Sequence, residues 1–282
     1  MPVYNINGNS AMVAYNYNGI RQPQVYDIQQ NPLLPNLVVM TYNVGNFTGI
    51  NAQQTMQDTI IAKYEPDIVS LQELMNNATL PTVGANMFED YSYKQVSNHK
   101  NRLFMISKTI TPSNVVIADF TNQDPLDASQ WNETRAYMKG DIEVNGKTIT
   151  WFNTHLCYLT QSVKWQQMQE LYTMAQNCEY AILAGDFNSY PMTVESDEYI
   201  NMYKPFVDAG YKVLNCSPAY GFTNTWTSST TATSMADLTH PHDSIIVSGN
   251  ITVVDVVLDT TKFNYVNGSE FDHIPVVAYL QV

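Results

Sequence analysis

The sequence predicts an α+β fold with β-sheets at its centre. Strand-like segments outnumber helical segments by more than two to one after residue 36. Neither GxGxxG nor GxxxxGK[ST] occurs, so the chain lacks the glycine-rich turns that hold phosphates at a helix start. These two observations argue against a doubly wound nucleotide-binding fold. A hydrophobic content of 44% indicates a globular chain with a sizeable core.

Short apolar runs typical of buried strands recur through the chain, and several of them end in polar residues. They lie at residues 36–44, 67–74, 102–107, 137–156, 180–188, 242–248, 251–259 and 274–282. Within the longest run, Asn145-Gly146 predicts a hairpin, because both residues favour the positive φ angles of a tight turn.

Two segments have helical spacing. Residues 52–66 form an amphipathic pattern that stops at Pro66. Residues 163–176 predict a longer helix with four apolar residues on one face: Trp165, Met168, Leu171 and Tyr172.

The first 36 residues differ from the rest. YNING at 4–8 and YNYNG at 15–19 form a short repeat, with YDI at 26–28 as a degenerate third copy. The Asn-Gly pairs predict one or two small β-hairpins, and prolines at 32 and 35 mark a linker. We therefore divide the chain into a repeat extension with linker, 1–36, and a larger domain, 37–282. The repeat could pack on this domain, mediate oligomerisation or dock the protein to a larger assembly.

The chain is acidic, with 13 Lys and Arg against 26 Asp and Glu and a net charge of −13. The averaged field repels nucleic acid and anionic membranes, which argues against tight DNA binding. A nucleic-acid enzyme stays open, because salt screens distant charges and a bound divalent metal inverts the local field.

The cysteine content and the first residues of the chain give information about the cellular compartment of the protein. Three cysteines in no CxxC spacing predict neither a disulfide framework nor a zinc site. The sequence shows no encoded signal peptide and no run of 18 apolar residues. We expect a soluble protein without stable membrane insertion, cytoplasmic or associated with an assembly, while an extracellular location stays open.

Polar side chains stand at the ends of the predicted strands. Burying a carboxylate without a partner destabilises a fold by several kcal/mol. The set therefore makes sense mainly if its members meet each other, a metal or a ligand. In chain order it comprises Asn43, Glu73, His155, Asp186, Asn188, Asp243, Asp272 and His273.

The chemistry of this set points to phosphoester hydrolysis. Amide and carboxylate oxygens suit Mg²⁺, with Mn²⁺ or Ca²⁺ as alternatives, better than zinc. Two histidines can carry protons or stabilise a negative oxygen. Each residue alone has an ordinary interpretation, such as a turn for Asn43 or a hydrogen-bonded core residue for His155. The whole set in this order favours a hard divalent ion that assists attack by water on a phosphate.

The ordered motifs TYNV, LQE, THL, GDFN, HDSI and DHIPV resemble the endonuclease/exonuclease/phosphatase superfamily, whose archetype is deoxyribonuclease I. The resemblance spans residues 37 to 282, and GDFN and DHxPV are its most specific pieces. It implies that residues 37–282 form a metal-dependent phosphoesterase domain. It implies a four-layer α/β/β/α sandwich, two β-sheets face to face with helices outside, which agrees with the strand count.

The resemblance also implies a metal site. Glu73 would be the principal ligand and Asn43 would belong to the same site. Asp272 would complete it as a second carboxylate on the metal side, or would partner His155. The implied cofactor is Mg²⁺, with Mn²⁺ or Ca²⁺ as alternatives.

The remaining residues receive catalytic roles from the same resemblance. Asp186 would align or deprotonate the attacking water, and Asn188 would hold water or phosphate. His155 and His273 would flank the phosphate, with His273 oriented by Asp243. Arg135 resembles a phosphate-contacting arginine, and the alternative is a surface arginine.

The sequence determines the substrate less closely than it determines the reaction. The residues after LQE read LMNN, without the arginine that deoxyribonuclease I inserts into the minor groove, and Asn98 stands loosely where that enzyme has an acidic residue. We favour a DNA endonuclease that acts by direct in-line attack of water. The alternatives are a phosphomonoesterase or a sphingomyelinase-like lipid phosphodiesterase, for which segments 84–93 and 217–229 could supply apolar loops. The long polar loop at 221–244 is expected to border the substrate groove.

Overall fold

In this computed structural model the described residues are 4–6, 10–12, 34–45, 60–73, 91–96, 103–125, 134–228, 234–259 and 272–282. They contain sixteen strands. These are β1 Tyr4–Ile6, β2 Ser10–Met12, β3 Leu37–Asn43, β4 Ile68–Gln72, β5 Tyr93–Val96, β6 Phe104–Ser107, β7 Ser113–Asp119, β8 Ala136–Val144, β9 Lys147–His155, β10 Ala181–Asp186, β11 Lys212–Leu214, β12 Cys216–Ser217, β13 Gly221–Phe222, β14 Asp243–Val247, β15 Thr252–Leu258 and β16 Val276–Gln281.

Helices are fewer and shorter among the described residues. They are α1 Ala62–Tyr64, directly after two π-helical residues, α2 Gln161–Ala175, α3 Asp197–Met202 and α4 Lys204–Asp208, with a 3₁₀ turn at Met235–Asp237. None of them is long and apolar enough to cross a bilayer.

Two six-stranded sheets form the core. The first has the order β15-β16-β3-β4-β6-β5, and the second has the order β11-β14-β10-β9-β8-β7. In each sheet the two central strands, β3 with β4 and β9 with β10, run parallel, and all other neighbours are antiparallel. The two pairs of parallel strands therefore each deliver two carboxyl ends to one edge of their sheet.

The inner faces of the two sheets share one hydrophobic cluster. Val39 and Ile68 of the first sheet pack in it with Trp151 and Ile182 of the second. A second cluster covers the outer face of the first sheet with Ile60 and Ile61, and a third joins the second sheet to α2, α3 and α4. These layers confirm the predicted α+β fold with a four-layer sandwich.

Hydrogen bonds inside the sandwich fix the sheets against each other. The indole Nε1 of Trp151 donates to Ser70 Oγ at 2.9 Å, and Gln72 Nε2 donates to Asn153 Oδ1 at 2.8 Å. Asn153 in turn donates to the carbonyl of Leu71 at 3.1 Å. All five residues are fully buried. These directional bonds fix how the strand ends of one sheet face those of the other.

Local predictions are met at the turns that the structure describes. Asn145 and Gly146 have φ angles of 51° and 75° and join β8 to β9, as a type I′ hairpin requires. β1 and β2 pair antiparallel on either side of residues 7–9. The second predicted hairpin at 15–19, the linker up to residue 33 and most of the helix predicted at 52–66 lie outside the described residues, and so do Asn98 and residues 84–90.

The buried face of α2 differs from the prediction. Met168 and Leu171 are buried as expected, but Trp165 and Tyr172 are only partly buried, and Lys164 and Gln167 are buried instead. Lys164 and Gln167 are buried because each has a polar partner. Lys164 pairs with Glu198, and Gln167 accepts a hydrogen bond from the backbone N–H of Cys157 at 2.8 Å. Apolar spacing alone could not show these partners.

Candidate active site

The strand ends place the predicted polar residues together. Asp186 ends β10, where it lies beside His155 at the end of β9 and opposite Asp243 at the start of β14. Asn43 ends β3 of the other sheet, and Glu73 directly follows β4. The site therefore lies where the carboxyl ends of the four central strands meet.

Asp186 is the centre of this arrangement. Its Oδ2 accepts a hydrogen bond from Asn43 Nδ2 at 2.8 Å across the two sheets. The same oxygen lies 3.5 Å from His155 Nε2 and 3.7 Å from His273 Nε2. Its other oxygen, Oδ1, accepts the backbone N–H of Asn188 at 2.8 Å. One carboxylate thus contacts an amide, two imidazoles and the next turn of the chain.

His273 is paired with a second carboxylate. Its Nδ1 lies 2.8 Å from Asp243 Oδ2, and both side chains are buried. Burial by itself lowers the pKa of His273, but the carboxylates of Asp243, Asp272 and Asp186 outweigh this and raise it from 6.5 to about 10. The ring is therefore a cation at neutral pH, with Nδ1 directed to Asp243 and Nε2 toward Asp186.

The charge state of Asp186 follows from its burial. Removal from water raises the pKa of Asp186 from 3.8 to about 7, the cationic His273 acts against this, and Asp243 adds to it. A carboxylate with such a pKa can accept a proton near neutral pH, which is what a general base requires.

The other predicted residues surround this centre. Glu73 has a left-handed backbone with φ of 58°, and its Oε1 lies 3.9 Å from His155 Nε2. Asn43 Oδ1 accepts the N–H of Gly45 at 2.8 Å. Arg135 directly precedes Ala136, which pairs with His155. It is 5% exposed, so the alternative interpretation as a surface arginine is wrong.

Asp272 directly precedes His273 in the chain and has a partner that the sequence did not indicate. Trp226 Nε1 donates to Asp272 Oδ2 at 3.0 Å. Trp226 also forms isolated bridges with His240 and His273, and its ring contacts the rings of His240 and His242.

The loop that carries Trp226 is therefore packed on the site. Thr225 and Thr227 are buried, and His242 is buried beneath the stacked ring of His240. Residues 229–233 lie outside the described part of the chain. Sequence reasoning treated 221–244 as a polar loop at the groove and missed Trp226 and His242, although a tryptophan amid TNTWT was a signal that one side chain anchors the loop.

The donor set fits a hard divalent cation. Ligand atoms of Asp186, Asp243 and His273 lie within 4.8 Å of one another, and the two carboxylates can bind a metal whereas the protonated His273 cannot. Within the described residues, Asp243 Oδ1 and Asp272 Oδ1 are buried without a hydrogen-bond partner. Unpaired buried carboxylate oxygens are costly, and a cation would satisfy them. This group differs from the predicted ligands Asn43, Glu73 and Asp272, and it contacts Asn43 through Asp186 Oδ2.

Comparison with known proteins identifies the family of the chain. The sequence profile of the Endonuclease/Exonuclease/phosphatase family matches residues 40–262. The chain belongs to this family, as the ordered motifs predicted. Members of the family are phosphodiesterases and phosphatases, so the class of protein is a phosphoester hydrolase. A comparison with curated protein sequences gives no match.

Solved structures of the same fold are distant in sequence. A humanized TDP2 of D. rerio has a TM-score of 0.66 at 16% identity and covers 87% of this chain and 99% of its own. The mannosyl-6-phosphatase of Bacteroides thetaiotaomicron has a TM-score of 0.63 at 16% identity, covering 87% and 100%. A family protein from Bacteroides vulgatus has a TM-score of 0.67 at 15% identity, covering 87% and 98%. At these identities the likeness shows the fold.

Proposed function

We propose that this protein is a divalent-metal-dependent phosphodiesterase that cleaves DNA by direct in-line attack of water. The observation that carries the proposal is the position of Asp186 Oδ2, which lies within 4 Å of Asn43, His155 and His273. One carboxylate that faces two imidazoles can orient a water molecule on one side of a phosphate.

In this proposal each side chain performs a step that its surroundings permit. Asp186 accepts the proton of the attacking water, because burial keeps its pKa near neutrality. His273, held as a cation by Asp243, donates a hydrogen bond to a non-bridging phosphate oxygen as negative charge grows there. His155 approaches the phosphate from the β9 side. As water bonds to phosphorus, the P–O bond to the leaving sugar oxygen breaks, and that oxygen takes a proton from solvent.

Asn188 and Arg135 complete the phosphate contacts. Asn188 Nδ2 donates to the carbonyl of Leu156 at 2.9 Å, which leaves its side-chain oxygen to orient water. Arg135 supplies a buried positive charge directly before the start of β8. Both residues sit one or two positions from strand ends, where the sheets hold them rigidly.

The metal would be held by Asn43, Glu73 and Asp272, and Mg²⁺ is the ion we favour. A divalent ion supplies charge neutralisation for the phosphate and lowers the barrier to attack. The unpaired Oδ1 of Asp272 supports this assignment. Mn²⁺ and Ca²⁺ share the preference for such oxygen ligands.

DNA is the substrate we favour. One structural neighbour is a TDP2 of D. rerio complexed with a single-strand DNA product, with a TM-score of 0.65. A phosphomonoesterase is the second candidate, supported by the similarity to a mannosyl-6-phosphatase. The net charge of −13 makes tight duplex binding unfavourable, which suits rapid release of a cleaved strand.

A substrate panel tests the proposal. Plasmid DNA, a single-stranded oligonucleotide, sphingomyelin vesicles and mannose 6-phosphate are each incubated with Mg²⁺ or with EDTA. We expect Mg²⁺-dependent cleavage of DNA that His155→Ala lowers by about 10²-fold or more. The exposed variant Asp208→Asn serves as the matched control and should cleave normally. Release of phosphate from the sugar with DNA left intact would contradict the nuclease assignment.

A further inference from the structure

A fully buried lysine lies behind the proposed catalytic turn. Lys164 is on α2, and its Nζ donates to Glu198 Oε1 at 2.6 Å and to the backbone carbonyl of Asn188 at 2.7 Å. The ammonium also lies 4.1 Å from the centre of the Tyr190 ring. Burial lowers the pKa of Lys164, and the Glu198 carboxylate opposes this. A buried ammonium is costly unless its donors are satisfied, and here each has an acceptor or a ring.

Glu198 would be well satisfied without the lysine. It also accepts hydrogen bonds from the backbone N–H of Tyr190, from Gln161 Nε2 and from Trp165 Nε1, each at 2.9 Å. These bonds tie α2 and α3 to the chain after β10. The bond from Lys164 to the Asn188 carbonyl connects this pair to the proposed catalytic residues.

The turn at Asn188 has a left-handed backbone and is held at three points. Asn188 has a φ angle of 51°, a conformation that asparagine adopts more often than most other non-glycine residues. Its N–H donates to Asp186 Oδ1, its side chain donates to the Leu156 carbonyl, and its own carbonyl accepts from Lys164. Such a conformation persists when the surroundings fix it from several sides.

We propose that Lys164 is a positioning residue that holds the Asn188 turn and, through it, the orientation of the Asp186 carboxylate. The inference rests on the proposed function for its kinetic consequence. Without the ammonium, the Asn188 carbonyl loses its donor and the peptide can rotate out of the left-handed conformation. Asp186 Oδ1 then loses the Asn188 N–H, and the carboxylate turns relative to His155 and His273.

Three variants separate positioning from stability. Glu198→Gln keeps the bond between Lys164 and Asn188 but leaves the lysine without its counter-charge. We expect its melting temperature to fall while kcat stays within about threefold. Lys164→Met with Glu198→Gln removes both charges and keeps an acceptor for Tyr190, so its stability should equal or exceed that of Glu198→Gln. Its kcat on bis-p-nitrophenyl phosphate should fall by about tenfold or more at nearly constant KM, as expected for misplaced catalytic groups.

Lys204→Met, which breaks the exposed pair with Asp208, is the matched control and should behave as wild type.

A crystal structure of the Lys164→Met, Glu198→Gln variant tests the same inference without turnover. We expect the distance between Asn188 N and Asp186 Oδ1, 2.8 Å in the wild type, to lengthen beyond hydrogen-bond range. An unchanged turn, or a kcat that simply follows the melting temperature across the variants, would overturn the positioning role. If the wild type hydrolyses nothing, the proposed function fails, and the turn geometry still decides the role of Lys164.

Discussion

Replacing Asp243 by Asn tests the link between burial, charge and catalysis. Asp243 is fully buried and its Oδ2 lies 2.8 Å from His273 Nδ1. An asparagine keeps the size of the side chain and an oxygen that can accept the same hydrogen bond. The substitution therefore removes one negative charge with little change in packing.

The size of the effect follows from the pKa of His273. The difference between 6.5 and about 10 corresponds to about 5 kcal/mol in favour of the cation. Burial opposes the cation, and Asp243 is the largest of the contributions that raise the pKa. In Asp243→Asn we expect the pKa of His273 to return toward 6.5. At that pKa about 3% of the imidazole is protonated at pH 8, so kcat/KM should fall about 30-fold.

Stability and activity should both depend on pH through the protonation of His273. In the wild type, the raised pKa of His273 means that its ion pair stabilises the fold fully below about pH 6.5. This stabilisation is lost as the pH rises through about 10. In the variant, the loss of activity should shrink at pH 5.5, because most of the imidazole is protonated again.

The assay combines kinetics with an NMR titration of the His273 ring. Hydrolysis of bis-p-nitrophenyl phosphate is measured at pH 5.5 and pH 8 for the wild type, Asp243→Asn and the exposed control Asp208→Asn. A variant in which His273 still titrates near pH 10, or in which turnover at pH 8 is unchanged, would refute the reasoning.

Three further predictions concern the metal, the general base and the core. Glu73→Gln should raise the Mg²⁺ concentration for half-maximal hydrolysis by at least about tenfold, seen in a metal titration; an unchanged requirement would exclude Glu73 as a ligand. Because burial holds the pKa of Asp186 at about 7, kcat/KM for bis-p-nitrophenyl phosphate should fall about tenfold per pH unit below pH 7, and a flat pH profile would contradict Asp186 as the general base. Trp151→Phe removes the bond to Ser70 between the sheets and should lower the free energy of unfolding in urea by about 2–4 kcal/mol, whereas a change below about 0.5 kcal/mol would show that the bond is dispensable.

The sequence predicts the central strands well, for a physical reason. β3, β4 and β10 are covered on both faces, so they read as continuous apolar runs that end in polar residues. β7 at the edge of the second sheet was not predicted. Its residues Ser113–Asp119 are almost all exposed, and without a buried face there is no pattern to detect.

The polar interior of the fold is harder to predict. The burial of Lys164 depends on Glu198, which lies 34 positions along the chain on another helix. A helical pattern shows which apolar residues share a face, but it does not show which charged residue finds a partner there. The same limit applies to Trp226, whose contact with Asp272 spans 46 positions.

The candidate site was predictable as a set of residues and only partly as an arrangement. Each strand end offered a polar side chain, and the order of the motifs indicated the family. The contact between Asn43 and Asp186 requires the relative position of two sheets, which the inter-sheet bonds of the core determine. The burial of Arg135 likewise depends on the residues that pack over the start of β8.

The most direct test of the account is the rate at which wild type and Asp186→Asn hydrolyse a phosphodiester in the presence of Mg²⁺. Asparagine preserves the shape of Asp186, and it removes the charge and the basic oxygen that face His155 and His273. We predict Mg²⁺-dependent hydrolysis by the wild type that EDTA abolishes and that Asp186→Asn lowers by about 10²-fold or more, with the fold intact by circular dichroism. Near-normal turnover by Asp186→Asn would contradict the central role of this carboxylate.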